Sequence, residues 1–163
     1  MFKRLLVPLD GSRFASRALR YAMEVAHQFG TEVILLQVVE SATPLATTTG
    51  MAPGMQSPTA AQIAVQAALD EEKRNTSHAK RYLSRKARDI RSQDIEVSYQ
   101  VVVGDPAQSI MEFAEKENVD LVVMTTHGKS GLKRAIMGSV ADQVIRESGK
   151  PVLVVRPHIN GKK

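Results

Sequence analysis

Continuous apolar runs alternate along the chain with stretches whose apolar residues recur every three or four positions. "RLLVPL" (4–9) is the first run and reads as a buried strand. Ala15, Ala18, Leu19, Ala22, Ala26 and Phe29 then repeat at helical spacing, with Ser12 placed to cap the helix and Gly30 to close it. "EVILLQVV" (32–39) is the second strand. Residues 40–58 carry Pro, Gly and Thr without periodicity and read as a mobile loop. A long helix is predicted over about 59–90, with Ile63, Ala67, Ala79, Tyr82 and Leu83 among its apolar positions.

The third strand, "IEVSYQVVV" (95–103), differs from the others. Ile95, Val97, Tyr99 and Val101 alternate with Glu96, Ser98 and Gln100, so one face is apolar and the strand belongs at a sheet edge. "GDP" follows, with Asp105 as the N-cap and Pro106 at the first position of a short amphipathic helix through Ala107, Ile110, Met111 and Ala114. "DLVVM" (120–124) is the fourth strand. Val140, Val144 and Ile145 line a helix over about 138–148, and "GKPVLVVRP" (149–157) contains the fifth strand.

Strand–helix alternation predicts an α/β fold. The expected form is a single-domain, open, twisted, five-stranded parallel sheet with helices on both faces. Flavodoxin-like and Rossmann-like windings both fit right-handed crossovers. The half-polar third strand favours the Rossmann-like order 3-2-1-4-5. In that order the winding reverses between strands one and four, and ligands bind beyond the carboxyl ends of such strands. The ends in question are "PLDGS" (8–12) and "MTTHGKSG" (124–131), which bring Pro8, Leu9, Asp10, Met124, Thr125, His127 and Gly128 to one place.

Composition narrows the chemistry. The chain of 163 residues is 43% hydrophobic and has no Trp, so aliphatic side chains must fill the core. It has no Cys, which excludes disulfides, thiolate metal sites and Cys nucleophiles and suits a reducing cytoplasm. The apolar run near the start is broken by Pro8 and is too short for a signal peptide. No segment approaches the ~20 apolar residues of a membrane span. The net charge of +5 favours anionic partners. Much of it lies in "KRYLSRKARDIR" (80–91), which reads as a solvated helix face. With Tyr82 counted among that helix's apolar positions, no aromatics are interleaved for base stacking, which argues against nucleic acid.

The stretch "THGKSGLKRAIMGSV" (126–140) concentrates glycine, cations and hydroxyls. "GKS" suggests a P-loop, but G-x-x-x-x-G-K-[ST] puts its first glycine at Val123, inside a strand. The dinucleotide motif G-x-G-x-x-G is missing from the first turn, "LDGSRFA". A split loop remains. Gly128 and Gly131 follow the fourth strand, and Gly138–Ser139 open the last helix, whose N-terminus suits a phosphate. The competing account is that the glycines only turn the chain and Ser139 only caps the helix.

"LLVPLDGS", "VILLQVV" and "THGKSGLKRAIMGSVADQVIRESGKPVLVVRP" resemble the universal stress protein family over essentially the whole chain. Its ATP-binding branch carries G-x2-G-x9-G-[ST]. Gly128, the nine residues 129–137, and Gly138–Ser139 match, while Thr125 stands at the first glycine position. The resemblance implies a site for ATP with Mg²⁺ or Mn²⁺. Asp10 and the backbone of Val38 would hold the adenine and ribose end, over a floor shaped by Pro8. Gly128, Gly138, Ser139 and Val140 would take the phosphates. It also implies a homodimer through the apolar strand 151–155, which lies at the other sheet edge and invites pairing.

No nucleophile–base–orienter set is readable, and His127 has no partner at metal-ligand spacing, so no catalytic residue is assigned. His27, His78 and His158 read as surface or helix-flank residues. The leading expectation is a cytoplasmic, ATP-binding stress-response protein that works as a nucleotide-dependent regulatory dimer. A slow ATPase or self-phosphorylating enzyme and a nucleotide-free scaffold are the alternatives.

Overall fold

The computed structural model describes residues 2–41, 58–126 and 137–156. The expected loop at 40–58 therefore falls almost wholly outside the described residues, as do His127 and Gly128. Five strands and four helices alternate as β1 (Arg4–Pro8), α1 (Ser16–Phe29), β2 (Glu32–Val39), α2 (Pro58–Arg91), β3 (Val97–Val103), α3 (Pro106–Lys116), β4 (Leu121–Thr125), α4 (Ser139–Glu147) and β5 (Val152–Val155). Every described pairing is parallel, and the order is β3-β2-β1-β4-β5. This is the winding that the half-polar third strand pointed to.

The strand sequences explain the layers. Leu5, Leu6 and Val7 of β1 are fully buried, because the central strand is covered on both faces. Leu5 and Val7 join Val33, Leu35, Ala18, Ala22, Leu83 and Ala87 in one core, beneath α1 and α2. Leu6 joins Ile34, Leu36, Val122, Ile110 and Val144 in the other, beneath α3 and α4. The first two crossovers thus cover one face and the last two cover the other, which places the switch point between β1 and β4.

Helix ends follow their local chemistry. Asp105 is extended and its carboxylate accepts from Gln108 N–H at 2.9 Å, with Pro106 at the first helical position. Gly30 closes α1 in the left-handed region at φ 62. The start of α1 lies later than its periodicity suggests. Ser12 Oγ accepts from Ala15 N–H at 3.0 Å, but it caps a turn, and regular helix begins at Ser16.

Several of the expected apolar positions are not core, Ala67 and Tyr99 among them. Phe29 is exposed yet packs edge-on against Phe2 at the chain start, and Ile145 is exposed on α4. In α2, Ala79, Leu83, Ala87 and Ile90 are buried, whereas Ile63 is 66% exposed. Length gives the reason. Thirty-four helical residues span about 51 Å, while the seven of β3 span about 23 Å. The first half of α2 has no sheet to lie on.

Candidate functional site

A cleft of about 540 Å³ opens at the carboxyl ends of β4, β1 and β2, where the winding reverses. That size suits a small-molecule ligand. Pro8, Leu9, Asp10, Val38, Met124, Thr125, Gly138, Ser139 and Val140 all line it. His127 and Gly128, the other two expected site residues, lie outside the described residues.

The β1 end turns sharply. Gly11 has φ +82, a conformation that side chains other than glycine adopt at a cost. The turn lets Ser12 N–H donate to Asp10 Oδ1 at 2.9 Å, which fixes the carboxylate at the mouth of the cleft. Asp10 is thereby held as an acceptor facing the ligand space.

β2 contributes its backbone. In a parallel strand, alternate residues direct both N–H and C=O to the same neighbour. Leu36 C=O accepts from Leu9 N–H at 2.7 Å, and Val39 C=O accepts from Gly104 N–H at 3.0 Å. Even-numbered residues of β2 therefore face β1, and odd-numbered ones face β3. Val38 faces β1, but the β1–β2 register has already ended at Pro8 opposite Leu36. Its N–H and C=O form a donor–acceptor edge directed into the cleft.

α4 contributes its N-terminus. Gly138 is the N-cap and makes no side-chain capping bond. Its N–H donates to Thr126 C=O at 2.7 Å, which ties the helix start to the end of β4. Ser139 occupies the first helical position and is exposed, so it does not cap the helix. Ser139, Val140 and Ala141 all line the cleft, and first-turn N–H groups have no carbonyl ahead of them in the helix. The helix dipole adds positive potential there.

Two motif positions are clarified by their backbones. Gly138 has φ −65 and ψ 146, an extended conformation open to any residue. The chain does not need glycine there for its shape. Gly138 lines the cleft with backbone alone. Thr125 is the last residue of β4, is buried, and is not among the described residues with positive φ. Threonine is therefore accommodated without strain at the position where the motif has glycine.

Other lining residues were not picked out from the sequence. Gln37 of β2, Asn75 and His78 of α2, and Pro106 and Ile110 of α3 also face the cleft. His78 is exposed, as expected of a helix flank, yet it stands at the rim of the site. Gln37 did leave a signal, as a polar residue inside the apolar run "VILLQVV". Among the described residues, no group of three or more His, Asp or Glu side chains could hold a metal ion. No helix among them is long and apolar enough to cross a membrane.

Residues 1–156 match the model of the universal stress protein family. Universal stress protein MJ0531 of Methanocaldococcus jannaschii is 31% identical over 156 residues, spanning 96% of this chain and 83% of that protein. Universal stress protein MJ0577 of the same organism is 32% identical over 166 residues, or 96% of each chain. The solved structure of MJ0577 has a TM-score of 0.78 at 30% identity, covering 96% of this chain and 97% of that one. A universal stress protein family protein from Arabidopsis thaliana, solved with AMP bound, shares the fold at 15% identity. Its TM-score is 0.59, with 97% of this chain and 94% of that one covered. Sheet order, matched length and these relatives agree: the chain belongs to the universal stress protein family.

Proposed function

We propose that the cleft binds an adenine nucleotide, ATP in the first instance, and that the protein is a nucleotide-dependent regulatory homodimer of the cytoplasm. One observation carries the reading. Along the line β4–β1–β2, the cleft presents an anion-binding helix N-terminus, then a carboxylate, then a backbone donor–acceptor edge. That sequence matches phosphates, ribose hydroxyls and adenine. The AMP in the Arabidopsis relative supports the same ligand class.

Val140 and Ser139 N–H groups and the Ser139 hydroxyl would take the phosphates, helped by Gly128. Asp10 would accept from the ribose, and Val38 would meet the base. Pro8, Leu9, Met124, Thr125 and His127 would complete the walls. Mg²⁺ or Mn²⁺ would be carried by the phosphates, since the described residues offer no cluster of metal ligands. The edge strand β5 has Leu153 37% exposed, which supports pairing of two copies there.

The test begins with purified protein. Denaturation should release an adenine nucleotide identifiable by mass, and titration of the emptied protein with Mg-ATP should be saturable. Sedimentation should show a dimer that Leu153→Lys dissociates. Protein that neither carries nor binds any adenine nucleotide would refute the ligand. A monomer at all concentrations would refute the assembly.

A further inference from the structure

Gln37 is 8% exposed, yet its Oε1 has no hydrogen-bond partner among the described residues. Buried carbonyls are seldom left in that state, because they carry a full desolvation penalty. The side chain lies on the α1/α2 face of β2, one pleat beyond Val33 and Leu35, which are core. At that level the core has given way to the cleft, which Gln37 lines. Its Nε2 is 3.9 Å from where a Cβ on Gly11 would stand, so the amide lies against the turn that carries Asp10.

Its place along the cleft suggests what it meets. The phosphate end is at α4, which is tied to the end of β4. Gln37 is on β2, two strands away, or roughly 10 Å at the usual strand spacing. That is the base end of a bound nucleotide. A Gln amide pairs with adenine by accepting from N6 and donating to N7. Its terminal torsion is soft, so the amide can turn from its partnerless position into the cleft.

Resting on the adenine-nucleotide reading of the cleft, we infer that Gln37 is a specificity-determining residue that reads the N6/N7 edge of the base. Oε1 accepts from the 6-amino group and Nε2 donates to N7. The neighbouring Val38 backbone is left for the other edge. A 6-oxopurine presents two acceptors at this edge and cannot match an amide.

The experiment pairs a ligand edit with a side-chain edit. ATP and 7-deaza-ATP, which lacks N7, are titrated against wild type and Gln37→Met by calorimetry, with thermal melts to verify folding. Wild type should bind 7-deaza-ATP roughly five- to tenfold more weakly than ATP. Gln37→Met should bind the two alike. Wild type that treats both nucleotides equally overturns the assignment, and that arm stands even if the variant fails to fold. A folded variant that still discriminates overturns it as well. Wild type that binds neither nucleotide refutes the nucleotide reading itself, and the role of Gln37 falls with it.

Discussion

The two ends of the sheet are built to opposite purposes. At the amino ends of the strands, polar groups are satisfied internally. Asp120 accepts from Lys3 N–H at 2.7 Å and Arg4 N–H at 3.0 Å. The Arg4 guanidinium donates to Glu117 C=O at 2.7 Å, and Thr31 Oγ1 donates to Phe2 C=O at 2.9 Å. At the carboxyl ends, β1 breaks off at Pro8, Gln37 Oε1 has no hydrogen-bond partner among the described residues, and α4 offers its first turn to an open cleft. One end closes the fold and the other is left incomplete. Stability and binding should therefore respond to different residues.

Substitutions can break that separation, and Gly138→Val should have the largest effect. Its backbone conformation suits valine, so the fold should persist while the side chain fills the phosphate end. ATP affinity should fall at least tenfold, about 1.4 kcal/mol, measured by calorimetry. Equal affinity in the two proteins would remove the phosphate end from α4. Asp10→Ala comes next, with about fivefold weaker ATP binding, or roughly 1 kcal/mol. Its melting temperature should move little, since the turn bond from Ser12 N–H that is lost lies at the mouth of the cleft and not in the core.

Asp120→Ala should show the converse. Two backbone donors lose their acceptor, and at this half-buried site the cost is roughly 1 kcal/mol of stability, with ATP binding unchanged. The hydrogen bonds from Arg4 and Lys3 hold the Asp120 carboxyl below its ordinary value. A lowered folded-state pKa means the contribution is complete above the unfolded value, about 4. It fades as pH falls through the folded value. The stability gap between wild type and variant, followed by urea unfolding, should therefore close on acidification below about pH 4. A gap that instead widened there would contradict the tie. The smallest effect is expected for Leu69→Ser on the projecting half of α2, where the side chain is 44% exposed. Stability should change by no more than about 0.5 kcal/mol.

How much of this was legible in the sequence depended on whether a residue's role is local. The alternation of Ile95, Val97, Tyr99 and Val101 placed β3 at an edge, and that placement set the strand order. Asp105–Pro106 announced the start of α3, because a cap acts within one turn. The cleft position of Asp10 followed from topology. Asn75 and His78 could not be found that way, since their approach depends on how α2 crosses β2 and β3. Ile63 and Ala67 misled for a related reason: helical spacing reports a face but not whether a sheet lies beneath it. Gln37 was visible as an interruption of an apolar strand, and only its unpaired oxygen gave that interruption a meaning.

The tie between Asp120 and the chain start also bears on how the molecule is made. β1 is central, and its second neighbour is β4, so Leu5 waits for Leu121, 116 positions later. During synthesis, β2 can dock on one edge of β1 early, but the other edge stays open until most of the chain has emerged. Such non-local pairing is slow, and the open edge is exposed to the wrong partner. A ribosome stalled before residue 121 therefore presents a strand of Leu, Leu and Val with one edge still open.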